Sequence, residues 1–529
     1  DEPIDGISFL KDNQIIAGKP IGTSTDLTLL GSPYLSGLLD DFLHSDYQPI
    51  IQTSRFCPYT CTFCVSGKNR GKLRGFPLNQ VYEELKFISK KFSNRPHHLF
   101  RIADENFGIL ERDIEIAEEL LKCKKEYGFP QRLFFYNDKR FTEISRKIVE
   151  IIGDMCQYGM TLSLQTENPE SLKAINRRNV TDEEIDDAIK WATKLNMPTT
   201  TELIFGLPYE TKSGFVDLLN KSIDRGFDTI LAHALFIMDG IELNRPDQRE
   251  KFKFNTKFRP LSSGYGVAND EFVAEHEEVV TSSKTFSEDD FIEIRKMCFM
   301  FFSAFTVGLQ KWFFQFVKNY NKDLKLTDIF HNFMYPNREQ EWPKEYLDFL
   351  DDFDKAIRGE LFDSREEMIE HLKKAYKENN NQVAEPTRLN INFVSRLIYL
   401  EKEWLGKVLF KHFKDLDKTK NESNYKLAGD LINLGLKEII DLKSKDNLVP
   451  DFVTDYDLLS WKKSKFKKNI LDLKSSPKKI SFSLDHTRKS QISSFNQRFS
   501  KLNSKDYYTN AIDFITPRAN LSYKLDYRI

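Results

Sequence analysis

The sequence is poor in cysteine, with 6 in 529 residues, which excludes a disulfide-stapled scaffold. It has no unbroken apolar run of about eighteen residues, so no continuous membrane span is predicted. Neither charge dominates: 78 Lys+Arg stand against 80 Asp+Glu, for a net charge of −2. That excludes a globally basic nucleic-acid binder. No basic start followed by an apolar stretch marks a secretory signal, so a reducing, cytoplasmic setting is expected. Low-complexity runs are also missing. What is present is core material: 40% hydrophobic and 13% aromatic residues, enough to argue against disorder. A chain this long exceeds one core, so two or three domains are expected. It opens on Asp1, and the expectation is that an N-terminal part precedes it.

Half of the scarce thiols sit in one stretch, "RFCPYTCTFCVSGKNRG" at 55–71, as Cys57, Cys61 and Cys64. The remaining Cys123, Cys156 and Cys298 lie far apart in apolar helical contexts and read as buried core thiols. An odd count on one loop does not suit a disulfide. A structural zinc usually takes four ligands, and neither a second C-x2-C nor a usable His pair is present; His97 and His98 are adjacent and cannot easily converge. Three thiolates at C-x3-C-x2-C spacing suit a 4Fe–4S cluster with one iron left open. Zinc and chance spacing stay open as alternatives at this point.

The flanking sequence alternates strand and helix. "QPIIQTSRF" reads as a strand and is followed by Val81, Leu85, Ile88 and Phe92 at helical spacing. Strands are predicted at 98–107, 132–138, 160–166, 199–208 and 228–237. Between them fall helices, one ended by Gly128 and Pro130, one over 142–158, and one capped by Thr181 with Glu184 in a capping box. Six such units predict a parallel sheet with right-handed crossovers, fewer than a closed barrel needs. The expected fold is therefore α/β, a partial (β/α)6 TIM-like barrel. Chemistry in such sheets gathers at the carboxyl ends of the strands. Polar residues stand there: Arg55 and the cysteines, then Asp104, Glu105 and Asn106, then Asn137 and Asp138, then Gln165, Thr166 and Glu167. Glu202 lies in the fifth strand, which Gly206 and Pro208 end.

The loop C-x3-C-x-aromatic-C, with Phe63 as the aromatic, resembles the signature of the radical S-adenosylmethionine (SAM) superfamily. The resemblance covers roughly 30–240. It implies that Cys57, Cys61 and Cys64 hold the cluster and that the open iron chelates the SAM amino and carboxylate groups. One electron then cleaves the sulfonium to a 5′-deoxyadenosyl radical. "ADENFG" is similar to the second-strand motif that meets the SAM amino group, which implies cofactor contacts for Asp104 and Asn106. The usual Gly-Gly-Glu triplet is replaced here by Asp104, Glu105 and Asn106. "SLQTENPESLKAINRRN" resembles the fourth-strand motif, implying Gln165 and Thr166 at the ribose and carboxylate, with Arg177 as its basic residue. "ELIFGLPYET" resembles the fifth-strand motif along the adenine, implying Glu202 and Gly206. "GSPYLSGLLDDFL" before the loop resembles the linker of cobalamin-binding radical SAM proteins. It implies cobalamin through a domain outside this chain, since no Asp-x-His-x-x-Gly signature is found.

The expected domains are a linker over 1–45, the exit segment of a missing domain; the radical SAM barrel over 46–245; and a mainly helical region over 246–529. "RPDQREKFKFNTKFRPLSSGYG" reads as a basic loop. Ser287 then caps a strongly apolar helix, which is read as the spine of the C-terminal domain because Arg295, Lys296 and Lys311 interrupt it. Further helices are predicted near 345–375 and 388–415, with "NESNYK" as a loop. The C-terminal domain is expected to cover the barrel mouth and set substrate choice. Residues 461–529 are rich in lysine and arginine with Phe466, Phe482, Phe495, Tyr507 and Tyr508 interleaved; a solvated face is favoured there over RNA binding. The resemblance implies a small-molecule substrate, a flavodoxin or ferredoxin as electron donor and, with cobalamin, methyl transfer to carbon. A tRNA-modifying methylthiotransferase and a non-catalytic zinc- or RNA-binding protein are the alternatives.

Overall fold

In the computed structural model the strand–helix alternation forms as its periodicity dictates. The structure describes residues 3–12, 14–19, 26–44, 47–66, 72–96, 98–156, 159–320, 324–380, 389–444, 449–515 and 521–527. Two units divide the chain: Asp1–Thr201 with Asp239–Gln248, and Glu202–Met238 with Arg249–Ile529.

In the first unit, β1 (Ile50–Ile51), β2 (Leu99–Ile102) and β3 (Arg132–Phe134) form a parallel sheet with β2 central. The register pairs Ile51 with Ile102 and Phe100 with Leu133. Between strands run α1 (Leu78–Lys91) and α2 (Asp113–Tyr127). Val81, Leu85 and Ile88 of α1 and Ile116 and Leu120 of α2 are fully buried beside Phe100, Phe107 and Leu133. Each such side chain contributes about 1.5–3 kcal/mol through the apolar area it removes from water. Gly128 ends α2 in a left-handed turn at φ 74°, a conformation that costs glycine little. The next helix, α3, covers Glu143–Ile152. It is shorter than the span expected over 142–158, because Gly153 at φ 57° breaks it and a tight turn follows; Gln157 and Tyr158 lie outside the described residues.

β4 (Met160–Gln165) follows. Asn137 Nδ2 donates to Thr161 O at 2.9 Å, so the polar end of the third strand–loop segment is tied to β4. α4 (Asp182–Lys194) starts with the predicted capping box, Glu184 N donating to Thr181 Oγ1 at 3.2 Å and Thr181 N to Glu184 Oε2 at 2.8 Å. β5 (Thr199–Phe205) lies beside β4 at its start, where Thr201 Oγ1 donates to Leu162 O at 2.9 Å.

In the second unit, α5 (Lys212–Arg225) and β6 (Thr229–Ala234) complete the alternation. The strand–helix alternation is that of an α/β partial barrel, followed by a mainly helical C-terminal region. The basic loop expected after 245 is instead mostly an antiparallel hairpin, β7 (Asn255–Ala268) and β8 (Glu271–Ser282). Asn269 and Asp270 make its turn with φ 50° and 64°, the type I′ geometry that two-residue hairpins require. Pro260 and the serine–glycine run mimic a loop in sequence; they sit at a register shift between Pro260 and Tyr265, where a bulge tolerates them. "NESNYK" is likewise no loop: Asn421 caps the helix Glu422–Lys437.

The apolar spine forms as α6 (Glu288–Phe301), a wide turn over Phe302–Val307, and α7 (Lys311–Tyr320). Ser287 caps α6 as predicted. Gly308 at φ 86° lets the path turn by 110°. Among the described residues no single helix is long and apolar enough to cross a membrane. Trp312, Phe313 and Phe314 are buried; Trp312 Nε1 donates to Glu438 Oε2 at 2.8 Å, and its ring meets Trp461 and Phe466. The aromatics of 461–529 are likewise packed within this unit. Phe466, Phe495 and Tyr507 are buried, Phe482 meets Tyr523, and Tyr508 stacks on Tyr399 at 4.4 Å. They offer no row of free rings for base stacking.

Candidate functional site

The cysteine loop leaves the end of β1 and is closed at its neck by a short antiparallel pairing of Ser54–Arg55 with Arg74–Gly75. Residues 67–71 of the loop lie outside the described residues. Phe56 enters the loop at φ 74°, a left-handed setting that costs a non-glycine residue about 1–3 kcal/mol and clusters at functional sites. The loop is pinned from behind. Thr62 N donates to Ile175 O at 3.1 Å, and Asn176 Nδ2 donates to Thr60 Oγ1 at 2.6 Å. Leu243 N donates to Thr62 O at 3.1 Å, so the returning segment Asp239–Gln248 packs on the same loop. A pocket of about 370 Å³ opens between them, lined by Cys61, Cys64, Glu242, Asn244 and Arg245 among others.

All six cysteines are free thiols. Cys61 is buried, Cys57 and Cys64 half-buried. Burial lifts the Cys57 thiol above its ordinary value, opposed by hydrogen bonds from the Tyr59 backbone and the Asn106 side chain. Asn106 Nδ2 lies 3.0 Å from Cys57 Sγ, and Arg177 Nη1 lies 3.9 Å from Cys61 Sγ. Two of the three sulfurs thus face N–H donors, which stabilise thiolate charge. Among the described residues no three Cys, His, Asp or Glu side chains converge on a point that would hold a single ion. A cubane cluster makes a different demand: each thiolate takes its own iron, and the sulfurs stand apart. Three thiols on one loop are the donor set of a 4Fe–4S cluster with one iron left open. Cys123 and Cys298 are buried, with thiols pushed up to about 11 and about 12 by burial; Cys156 is half-buried.

The strand ends around the loop carry distinct roles. Asp104 is buried, and its carboxylate accepts from Thr53 N at 2.6 Å, Thr53 Oγ1 at 2.5 Å and Ser54 Oγ at 2.9 Å. Burial raises it above the usual carboxylate range while these donors pull it down. Its geometry braces the loop's entry. Glu105, between the two residues singled out by sequence, accepts from Ser66 Oγ with one oxygen; its Oε2 is buried with no partner among the described residues. A buried carboxylate oxygen left bare costs stability unless a donor joins it. The signal for Glu105 was its place in the triplet.

Gln165 ends β4 at φ 63°. Its amide is largely buried and makes no hydrogen bond among the described residues. Thr166 is buried, with its Oγ1 accepting from Asn168 N at 3.1 Å. Arg177 also donates to Ser163 O and, through Nε, to Asn179 Oδ1 at 3.0 Å. Asn179 Nδ2 in turn donates to Leu164 O and Thr166 O at 2.9 and 2.7 Å. Arg177 and Asn179, the latter unremarked in the sequence, therefore tie the β4 end to the cluster loop. Phe63 is half-buried. Glu202 and Gly206 belong to the second unit. Glu202 favours the charged form of His233 there, against a burial that holds His233 below its usual range. Gly206 sits at φ 86° with Val280 O and Leu235 Cβ as its nearest neighbours, a turn closed to most side chains.

The model of the radical SAM superfamily matches residues 51–221, which brackets the cysteine loop and the strand ends just described. Residues 51–221 are a radical SAM domain. The chain is 29% identical over 303 residues to the cobalamin-dependent radical SAM methyltransferase TokK of Streptomyces tokunonensis, covering 55% of this chain and 43% of that protein. It is 29% identical over 315 residues to the 2-(S-pantetheinyl)-carbapenam-3-carboxylate methyltransferase of Streptantibioticus cattleyicolor, covering 57% and 44%. A tRNA-2-methylthio-N(6)-dimethylallyladenosine synthase of Bdellovibrio bacteriovorus is 26% identical over 189 residues, covering 35% and 41%. These matches span less than half the length of the relatives. The radical SAM superfamily implies a 4Fe–4S cluster and SAM, and its members are enzymes. The match over residues 51–221 favours an enzyme over the non-catalytic zinc- or RNA-binding alternative.

Proposed function

We propose that this chain is the radical SAM part of a cytoplasmic, cobalamin-dependent methyltransferase acting on a carbon of a small molecule. The observation that carries the reading is the cysteine loop with its supporting donors, Asn106 beside Cys57 and Arg177 beside Cys61. The similarity to two methyltransferases, one of them cobalamin-dependent by name, supports the choice of branch.

In this reading Cys57, Cys61 and Cys64 hold the cluster, which when bound supplies the electron for reductive cleavage of the SAM sulfonium. The chain's own residues satisfy the polar groups of SAM in a pocket where each unmet charge would be costly. Glu105 offers to the ammonium its buried Oε2, which has no partner among the described residues. Gln165 offers a largely buried side-chain amide at the end of β4 that has no hydrogen bond among the described residues. Asn106 and Arg177 hold charge on the sulfurs, Thr166 and Asp104 fix the strand ends, and Phe63 shields the loop. Glu202 and the Gly206 backbone are assigned to the adenine side. Cobalamin is assigned to a domain outside this chain, and the C-terminal region to covering the barrel mouth and selecting substrate.

The test is anaerobic reconstitution with iron and sulfide, followed by chemical reduction with SAM. Release of 5′-deoxyadenosine is expected, and Glu105→Gln should weaken SAM binding about tenfold, the loss of about 1.4 kcal/mol, while iron content stays unchanged. A wild-type chain that binds no iron would end the reading.

A further inference from the structure

Beside the cysteine loop, within the first unit, lies a second cleft of about 580 Å³. Its wall includes Pro58, Tyr59 and Thr60, the three residues between Cys57 and Cys61. Arg140, Lys173 and Arg178 stand exposed along it, and none of the three has an ion pair among the described residues. Lys139 adds a fourth cation, half-buried with Nζ 3.5 Å from the centre of the Tyr59 ring. The carboxylate that lines the cleft, Glu184, is engaged with Thr181 N as a helix cap. In a chain of net charge −2, such a one-signed concave patch selects an anionic partner and speeds its approach.

Three features narrow that partner. The cationic heads stand exposed, in water, which suits long-range steering of a macromolecule more than desolvated capture of a small anion. The aromatic side of the cleft is spent: Lys139 covers the Tyr59 ring, and Tyr59 OH donates to Asp138 Oδ1 at 2.7 Å. No ring is left to stack a base, as a single-stranded RNA site would use. Pro58 and Thr60 are covalently next to Cys57 and Cys61, so a partner seated here lies one residue from two cluster thiolates.

We propose that this cleft docks an acidic one-electron carrier protein, which reduces the cluster through the backbone of residues 58–60. The proposal rests on the cluster reading of Cys57, Cys61 and Cys64. One electron leaves the carrier's reduced centre and enters the cluster; the carrier is oxidised by one, the cluster reduced by one, and no bond is made or broken.

The test uses the full chain and a bacterial flavodoxin as probe. Binding of oxidised flavodoxin to the chain without cluster is followed by calorimetric titration, and 5′-deoxyadenosine release by the reconstituted chain is driven by either reduced flavodoxin or dithionite. Wild-type affinity should weaken as salt rises from about 50 to about 300 mM. Arg140→Glu, Lys173→Glu and Arg178→Glu together should lower flavodoxin affinity and flavodoxin-driven release at least tenfold, with dithionite-driven release preserved. Arg178→Gln alone, a milder change, should give a smaller loss in the same direction. Salt-independent binding, or variants that bind flavodoxin as wild type does, would overturn the proposal. So would variants that lose RNA binding while flavodoxin binding stays intact. A wild-type chain that retains no iron and releases nothing with dithionite would remove the cluster reading, and the docking proposal with it.

Discussion

Asn106 places its side-chain amide 3.0 Å from Cys57 Sγ, across 49 positions of sequence, joining the end of β2 to the first cysteine of the loop. An N–H facing sulfur favours the more negative state of a cluster and so raises its potential. Asn106→Ala should therefore lower the potential while leaving iron bound. A differential of about 1 kcal/mol between oxidation states corresponds to roughly 40 mV for one electron. A redox titration followed by electron paramagnetic resonance reads it, and an unchanged midpoint would deny Asn106 this role.

The thiols separate into two classes. Cys57→Ala, Cys61→Ala and Cys64→Ala should each abolish the cluster, against about four iron per wild-type chain. Cys123→Ala and Cys298→Ala should keep full iron, since those thiols are buried at α2 and α6, away from the loop in sequence and held protonated by burial. Full iron in Cys61→Ala would break the assignment.

Asp104 separates architecture from ligand binding. Its carboxylate accepts three hydrogen bonds, so Asp104→Ala leaves the Thr53 amide and two hydroxyls facing a void. A loss of about 2–4 kcal/mol is expected from stranded buried donors, measurable by denaturant unfolding. Asp104→Asn keeps the shape and should cost less. A stable Asp104→Ala protein with weakened SAM affinity would instead make Asp104 a direct ligand.

At Gln165 stability and function should move apart. Its φ of 63° stores about 1 kcal/mol of backbone strain that glycine would not pay. Gln165→Gly should raise the unfolding midpoint slightly and weaken SAM binding, seen by equilibrium dialysis. A variant less stable than wild type, or one with unaltered SAM affinity, would contradict this.

Acid should act through His412. Burial holds this imidazole down to about 4, with Tyr346 OH 3.1 Å from Nε2 and Trp342 stacked at 4.6 Å. A base depressed from 6.5 to about 4 contributes stability that is fully present above pH 6.5 and lost as pH falls through about 4. The amount is about 3 kcal/mol. His412→Phe should show a correspondingly flatter stability profile between pH 7 and pH 4 in urea titrations; an equally steep profile would place the acid sensitivity elsewhere.

Much of this was legible in the sequence because period and spacing are local signals. Val81, Leu85 and Ile88 announced α1, and Thr181 with Glu184 announced α4. The C-x3-C-x2-C loop pointed to a metal site, with the cluster following from the family resemblance. The hairpin β7–β8 is hidden in the sequence because Pro260 and its serine–glycine run mimic a loop and outweigh the Asn269–Asp270 turn signal. Non-local partnerships were also out of reach. Nothing in the local sequence says that Asp104 turns toward Thr53 and Ser54, or that Arg177 spans Ser163 and Cys61. Those depend on which strand ends the fold brings side by side.

The hydrogen bond from Leu243 to Thr62 has a bearing on how the chain is made. Asp239–Gln248 belongs to the unit that holds the cysteine loop, although 202–238 does not. At about 5–20 residues per second, the loop leaves the ribosome on the order of ten to forty seconds before the segment that packs on it. Throughout that interval the thiols lack one of their walls. Iron delivered then meets an open loop, and iron delivered later meets the loop with that segment in place, beside the pocket lined by Arg245. Arresting translation on either side of residue 248 and comparing iron uptake by the nascent chains would tell which order the cell uses.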